Sequence, residues 1–166
     1  MVILKKQERV IPKKNYMYLL IMLICVVFST FFIFEISKDI QNKKLETSNF
    51  DGFLSEVKLE EIDSILTEPS SDLFIIVTRV NDEKVYKVES SIKKVIKNYD
   101  MRDNFLFIDY TDEEIDVLNK KFGSNIKSIP AIIYYRNGEF VKSIDSSEDM
   151  ITSGDVEQII EEYEIN

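Results

Sequence analysis

The chain has no histidine and no tryptophan, and its only cysteine is Cys25. Without histidine no Ser-His or Cys-His pair can form, which removes the usual ways of activating a nucleophile. A lone thiol excludes the two-cysteine cycle in which one thiolate attacks a disulfide and a second resolves it. The sequence contains no zinc-ligand constellation and no glycine-rich phosphate cradle. Four glycines and three prolines are too few for a low-complexity chain. Paired carboxylates do occur, as Glu60-Glu61, Glu113-Glu114 and Glu161-Glu162. Adjacent helical residues do not face each other, so these pairs read as solvated helix faces rather than acid-base machinery. Asp145, Glu148 and Asp149 offer at most a weak calcium contact, because calcium takes about six or more oxygens in a set geometry. No metal, cofactor or catalytic residue is expected.

Charge is unevenly placed along the 166 residues, whose formal net charge is −9. Residues 1–38 hold Lys5, Lys6, Arg9, Lys13, Lys14 and Lys38 against Glu8 and Glu35, a net of +4 that leaves −13 on residues 39–166. Such an acidic body repels phosphate, so no nucleic-acid partner is expected.

Tyr16 to Phe34 is a run of nineteen residues without a charge. At about 1.5 Å per residue it spans about 28 Å, close to the ~30 Å hydrocarbon core of a bilayer. It is apolar all round, and Tyr16 and Tyr18 stand at one end, where interfacial aromatics are favoured. A cleaved signal peptide would share the basic start, but this run is too long and no small-residue cleavage pattern follows it. The bias of Lys and Arg to its N-terminal side places that side in the cytoplasm and the rest of the chain outside. The expected organisation is a cytoplasmic basic tail (1–15), a transmembrane helix in the bilayer (16–34), a juxtamembrane stem (35–49) and a folded domain (50–166). The localisation expected is a single-pass cell-membrane protein with an extracytoplasmic domain. Cys25 then lies mid-membrane as a small apolar filler.

After the stem, Phe53–Val57 reads as a short strand. Leu59, Ile62, Ile65 and Leu66 recur at helical spacing, and Pro69 to Asp72 break that helix. Leu73–Thr78 is a continuous apolar, β-branched run suited to a central strand covered on both faces. Asn81 or Asp82 then caps a long helix with Val85, Val88, Ile92, Val95 and Ile96 inward and Lys84, Lys87, Glu89, Lys93, Lys94 and Lys97 outward. Phe105–Asp109 is another buried strand. Thr111 and Glu114 match a capping box for a helix carrying Ile115, Leu118 and Phe122, which Gly123 ends. Pro130 cannot donate to a ladder and belongs at a strand's first position or on an edge. Asn137-Gly138 supplies the positive φ angles of a type I′ hairpin between that strand and Glu139–Ile144. A polar loop from Asp145 to Asp149 leads to a final helix capped by Thr152 or Ser153, with Val156, Ile159, Ile160 and Tyr163 inward.

The order β-α-β-α-β-α-β-β-α, with Asn119-Lys120-Lys121-Phe122-Gly123 leading into Ile129-Pro130-Ala131-Ile132-Ile133-Tyr134-Tyr135-Arg136-Asn137-Gly138-Glu139, resembles the thioredoxin fold over about residues 50–164. The resemblance implies an α/β, thioredoxin-like domain, a central mixed sheet flanked by helices. It implies a cis-proline at Pro130 facing the start of the long helix. In redox-active relatives two cysteines sit at that helix start. Here the corresponding positions are Asp82 and Val85. The tryptophan and the buried strand acid of active members are missing too. The chain also resembles bacterial thioredoxin-like proteins described as bacteriocin-transport accessory proteins, many of which keep cysteines.

The expected function is a redox-inactive, protein-binding or accessory module of the cell envelope, possessing no enzyme activity and assisting export or assembly. Its partner would be another envelope or secreted protein or peptide. The resemblance places the peptide-binding face at Asn81, Asp82, Glu83, Lys84 and Val85, beside Ser128, Ile129 and Pro130. Two other readings stay open: a thiol-disulfide oxidoreductase relative working with a partner's cysteines, and a structural membrane subunit whose apolar helix does the binding.

Overall fold

The computed structural model describes residues 13–67, 72–111 and 114–165. The expected basic tail therefore lies almost wholly outside the described residues, as do Pro69 and part of the Thr111–Glu114 cap. The chain divides into two compact units, Met1–Asn42 and Lys43–Asn166.

In the first unit the apolar run belongs to a longer helix, α1 (Lys13–Leu45), whose end extends into the second unit. From Asn15 it is long and apolar enough to cross a membrane, and none of its apolar window is buried against protein. The apolar surface is thus left for another phase, which is compatible with a single-pass anchor. Two hydroxyls in its apolar run bond within the helix. Ser29 donates to the Cys25 carbonyl at 2.8 Å and Thr30 to the Val27 carbonyl at 2.7 Å.

The second unit is built on one five-stranded sheet. Its strands are β1 (Ser55–Glu56), β2 (Asp72–Thr78), β3 (Phe105–Asp109), β4 (Ala131–Arg136) and β5 (Glu139–Asp145), in the order β1-β3-β2-β4-β5. β1 and β2 run parallel to β3, whereas β4 is antiparallel to both β2 and β5. The helices are α2 (Ile62–Thr67), α3 (Glu83–Asn98), α4 (Ile115–Phe122) and α5 (Ser153–Glu162). β2 is central, and from Leu73 to Thr78 it is buried on both faces. Period-two alternation splits its side chains between two cores. Phe74 and Ile76 pack with Ile92 and Ile96 of α3 and Ile159 of α5. Leu73, Ile75 and Val77 pack with Ile62 of α2 and Leu118 and Phe122 of α4.

Local rules account for the boundaries. Asp82 is the cap of α3, Thr152 that of α5, and the Thr152 amide donates to Asp155 at 2.7 Å. Gly123 ends α4 in the left-handed region at φ 62°. Asn137 and Gly138 take φ 53° and 78°, as a type I′ hairpin requires. A Cβ on Gly138 would run into the Leu66 carbonyl of α2, so close approach demands glycine here as well.

Four expectations need correction. The first strand is two residues long, not five, because it pairs with β3 only at Ser55 and Glu56. Leu59–Glu61 is a 3₁₀ turn, and the α-helix starts at Ile62. α4 begins at Ile115, with Glu114 rather than Thr111 in the cap position and no side-chain bond from it. Glu89, placed outward by periodicity, is 2% exposed. Its partners come from a distant segment that a helical wheel cannot show.

Candidate functional site

The turn from β2 into α3 sets one wall of the site. Asn81 is left-handed at φ 61°, a conformation its short amide tolerates, and its N–H donates to the Leu45 carbonyl at 2.7 Å. Asp82 is extended at φ −124°, and its Oδ1 accepts from the amides of Lys84 at 2.8 Å and Val85 at 3.2 Å. Arg79 lies 3.4 Å from the other oxygen. Burial by itself would raise the Asp82 pKa. The Val85 and Lys84 amides and then Arg79 outweigh it and hold the carboxyl below its ordinary value. The side chain is thereby committed to the helix start. Val85 is 1% exposed and belongs to the core. Glu83 faces away and pairs with Lys87 at 2.7 Å.

The opposite wall is the loop before β4. The peptide bond between Ile129 and Pro130 is cis, as the resemblance implies. Asn119 of α4 grips Ile126 from both sides, accepting its amide at 2.7 Å and donating to its carbonyl at 2.8 Å. Asp145, at the end of β5, accepts from the amides of Lys127 and Ser147, both at 2.7 Å, and lies 3.5 Å from the Ser128 hydroxyl. Its burial would raise the pKa, but Ser147 and Lys127 more than reverse this, leaving the carboxyl below its ordinary range. The Ser146 amide closes the corner by donating to the Pro130 carbonyl at 3.2 Å.

Between the walls lies a groove of about 360 Å³. Asp82, Lys84, Val85, Ile129 and Pro130 line it, whereas Asn81, Glu83 and Ser128 do not. Val88 extends its apolar floor, and Ser146, Glu148, Asp149 and Met150 form a rim that sequence reasoning did not assign. The signal for that rim was present only as a polar loop after β5. Its position depends on Asp145 and on the Ser146–Pro130 bond. Ser146 has no histidine to activate it. Among the described residues, no group of three or more His, Cys, Asp or Glu side chains is arranged to hold a metal ion. The groove can offer apolar contact, carboxylates on its rim and one ammonium, which suits an extended chain.

Glu89 lies two turns after the cap on α3. Its carboxylate accepts from the Ser48 hydroxyl at 2.8 Å, the Asn49 amide at 2.7 Å and the fully buried Thr78 hydroxyl. The Asn49 side chain bonds Ser90, and Lys93 donates to the Asn49 carbonyl. The end of the stem is therefore fastened along α3 rather than left free. An acid is buried beneath the site after all, on the helix and not on the strand.

No protein-family model matches the chain, and no curated protein is significantly similar to it. Solved structures do match. Thioredoxin from Trypanosoma brucei brucei is 16% identical, with a TM-score of 0.51 over 68% of this chain and 92% of that one. The short form of thioredoxin f from spinach chloroplast is 16% identical, with a TM-score of 0.52 over 68% and 95%. Thioredoxin f2 from Chlamydomonas reinhardtii is 12% identical, with a TM-score of 0.50 over 68% and 98%.

Proposed function

We propose that this chain, a thioredoxin-like fold of a mixed sheet flanked by helices behind an apolar N-terminal helix, is a membrane-anchored, redox-inactive accessory module. Its groove between Asp82 and Pro130 holds an extended segment of another envelope or secreted protein during export or assembly. The observation that carries this reading is the pairing of that open groove with a helix start whose two thiol positions are otherwise engaged. Asp82 caps the helix and Val85 is core. Thiol-disulfide exchange needs a thiolate at the groove, and the one cysteine lies on α1 instead. The cation bias ahead of Tyr16 favours a cytoplasmic N-terminus and an extracytoplasmic domain.

A photo-reactive residue in place of Lys84, compared with one in place of Lys120 on α4, tests this in cells. Capture of one discrete partner from position 84 alone supports the proposal, and equal capture from both positions removes it. Turnover of insulin disulfides by the purified full chain would instead favour an oxidoreductase acting with a partner's cysteines. If replacing residues 16–34 with an unrelated membrane helix abolishes function while the groove stays intact, the chain is a structural membrane subunit.

A further inference from the structure

Cations gather on one aromatic ring beyond the stem. Phe53, half-buried, packs against the core on the α3 side. Its ring centroid lies 4.7 Å from Lys93 Nζ, 5.4 Å from Lys97 Nζ and 5.3 Å from the Arg102 guanidinium carbon. Lys93 and Lys97 stand one turn apart on α3, a spacing at which like charges repel. Arg102 opens the 3₁₀ turn before β3. Burial, and then the charge of Lys97, hold the Lys93 ammonium below the ordinary lysine range against the opposing pull of Glu89.

Among the described residues none of the three is in an ion pair, although Arg79, Lys87, Lys121, Arg136 and Lys142 have each found a carboxylate. Glu89 is taken up by Ser48, Asn49 and Thr78, and Lys93 reaches only the Asn49 carbonyl, so in a segment carrying −13 these cations stand together outside any ion pair. Asp51, Asp100 and Asp103 are near in sequence and exposed, yet none pairs with them. The ring face offsets part of the repulsion. An external anion would offset the rest.

We propose that Phe53, Lys93, Lys97 and Arg102 form a binding site for a phosphate-bearing anion. The Arg102 fork and the two ammonium groups match several phosphate oxygens, and three cations suit a group of up to about two negative charges better than one carboxylate. The acidity of the rest of the domain does not forbid this, because exposed charges farther than about 8 Å are screened at physiological salt. Phe53 follows Phe34, the end of the apolar run, by nineteen positions. On the anchored reading, anionic lipid headgroups are one source of the phosphate, and a soluble phosphate ester is the other.

The test uses the full chain in nanodiscs of phosphatidylcholine, with or without phosphatidylglycerol. Acetylation of Lys93 and Lys97, read by mass spectrometry, reports occupancy, and inorganic phosphate is titrated into the phosphatidylcholine discs. Protection confined to phosphatidylglycerol discs supports the site with a headgroup as ligand. Saturable protection by inorganic phosphate supports it with a soluble ligand. In either case the double variant Lys97→Gln, Arg102→Gln should weaken binding by at least about tenfold, since two charges at contact distance are removed. Absence of protection in both arms overturns the proposal. So does protection of Lys93 that the double variant leaves unchanged.

Discussion

Replacing Glu89 should cost the folded domain as much as truncating a large core side chain. Its carboxylate is 2% exposed and accepts from Ser48, Asn49 and Thr78. In Glu89→Ala the Thr78 hydroxyl, fully buried, loses its acceptor. An orphaned buried donor costs about 1–3 kcal/mol. The Asn49 amide, half-buried, adds about 1 kcal/mol on the same scale. Deleting the aliphatic part of the side chain adds about 1 kcal/mol through the lost burial and the space left behind. The expected total is about 3–5 kcal/mol. Glu89→Gln keeps the volume and one oxygen for Thr78 but turns an N–H toward the Asn49 amide, so about 1–2 kcal/mol is expected. Urea unfolding of the full chain in detergent, followed by tyrosine near-ultraviolet circular dichroism, measures both. A double-mutant cycle with Ser48→Ala should show a coupling of at least about 0.5 kcal/mol. A cost below about 1 kcal/mol for Glu89→Ala would refute the reasoning, because buried donors cannot be orphaned that cheaply. Equal costs for Ala and Gln would also refute it, by showing that charge and acceptors contribute nothing beyond volume.

Asp82→Ala should lose a helix cap at about 1 kcal/mol. Asp82 and Asp145 both titrate below the ordinary carboxylate value in the folded state. Their contribution is therefore present above about pH 4 and disappears as pH falls through the lowered folded values, so melts at neutral pH should separate wild type from Asp82→Ala and strongly acidic melts should not. Gly138→Ala should cost about 2 kcal/mol or more in chemical unfolding, since φ 78° disfavours a Cβ and the Leu66 carbonyl blocks it. Tyr135 is buried, which pushes its phenol pKa up, and it donates to the Phe122 carbonyl at 2.7 Å. Tyr135→Phe should cost about 1–2 kcal/mol, and alkaline difference spectra should show one fewer tyrosine resistant to ionisation until unfolding. Asp82→Cys should place a thiol where the Lys84 and Val85 amides and the helix dipole favour thiolate. Alkylation at that position below about pH 8 is expected, and an unreactive thiol there would sink the capping geometry as described.

What the sequence made legible follows from the range of the interactions involved. β2 and β4 announce themselves because Leu73–Val77 and Ala131–Tyr135 are unbroken runs of apolar and aromatic residues, and α3 because its inward positions recur at three and four. The caps at Asp82 and Thr152 and the hairpin at Asn137-Gly138 are local chemistry, settled within four residues. Two of the expectations that failed, those for β1 and Glu89, concern pairings with distant segments, whereas the 3₁₀ turn at Leu59 and the start of α4 are local departures. β1 is short because its partner β3 meets it at two residues only. Glu89 looks like one more exposed charge among lysines until Ser48 and Asn49, about forty residues earlier, are laid over it. The rim at Glu148 and Asp149 reads as a bare polar loop until the Ser146 amide meets the Pro130 carbonyl.

The same distinction bears on the groove. Asp82 and Val85 are held by local forces, one by the helix amides and the other by the core, so each stabilises the helix start. The groove beside this helix start has an apolar floor, and Glu89 fixes the end of the stem against the helix that forms one wall. On this argument the groove and the stem are coupled mechanically through α3, and substitutions at Ser48 or Asn49 should alter capture from position 84 even though neither residue lines the groove.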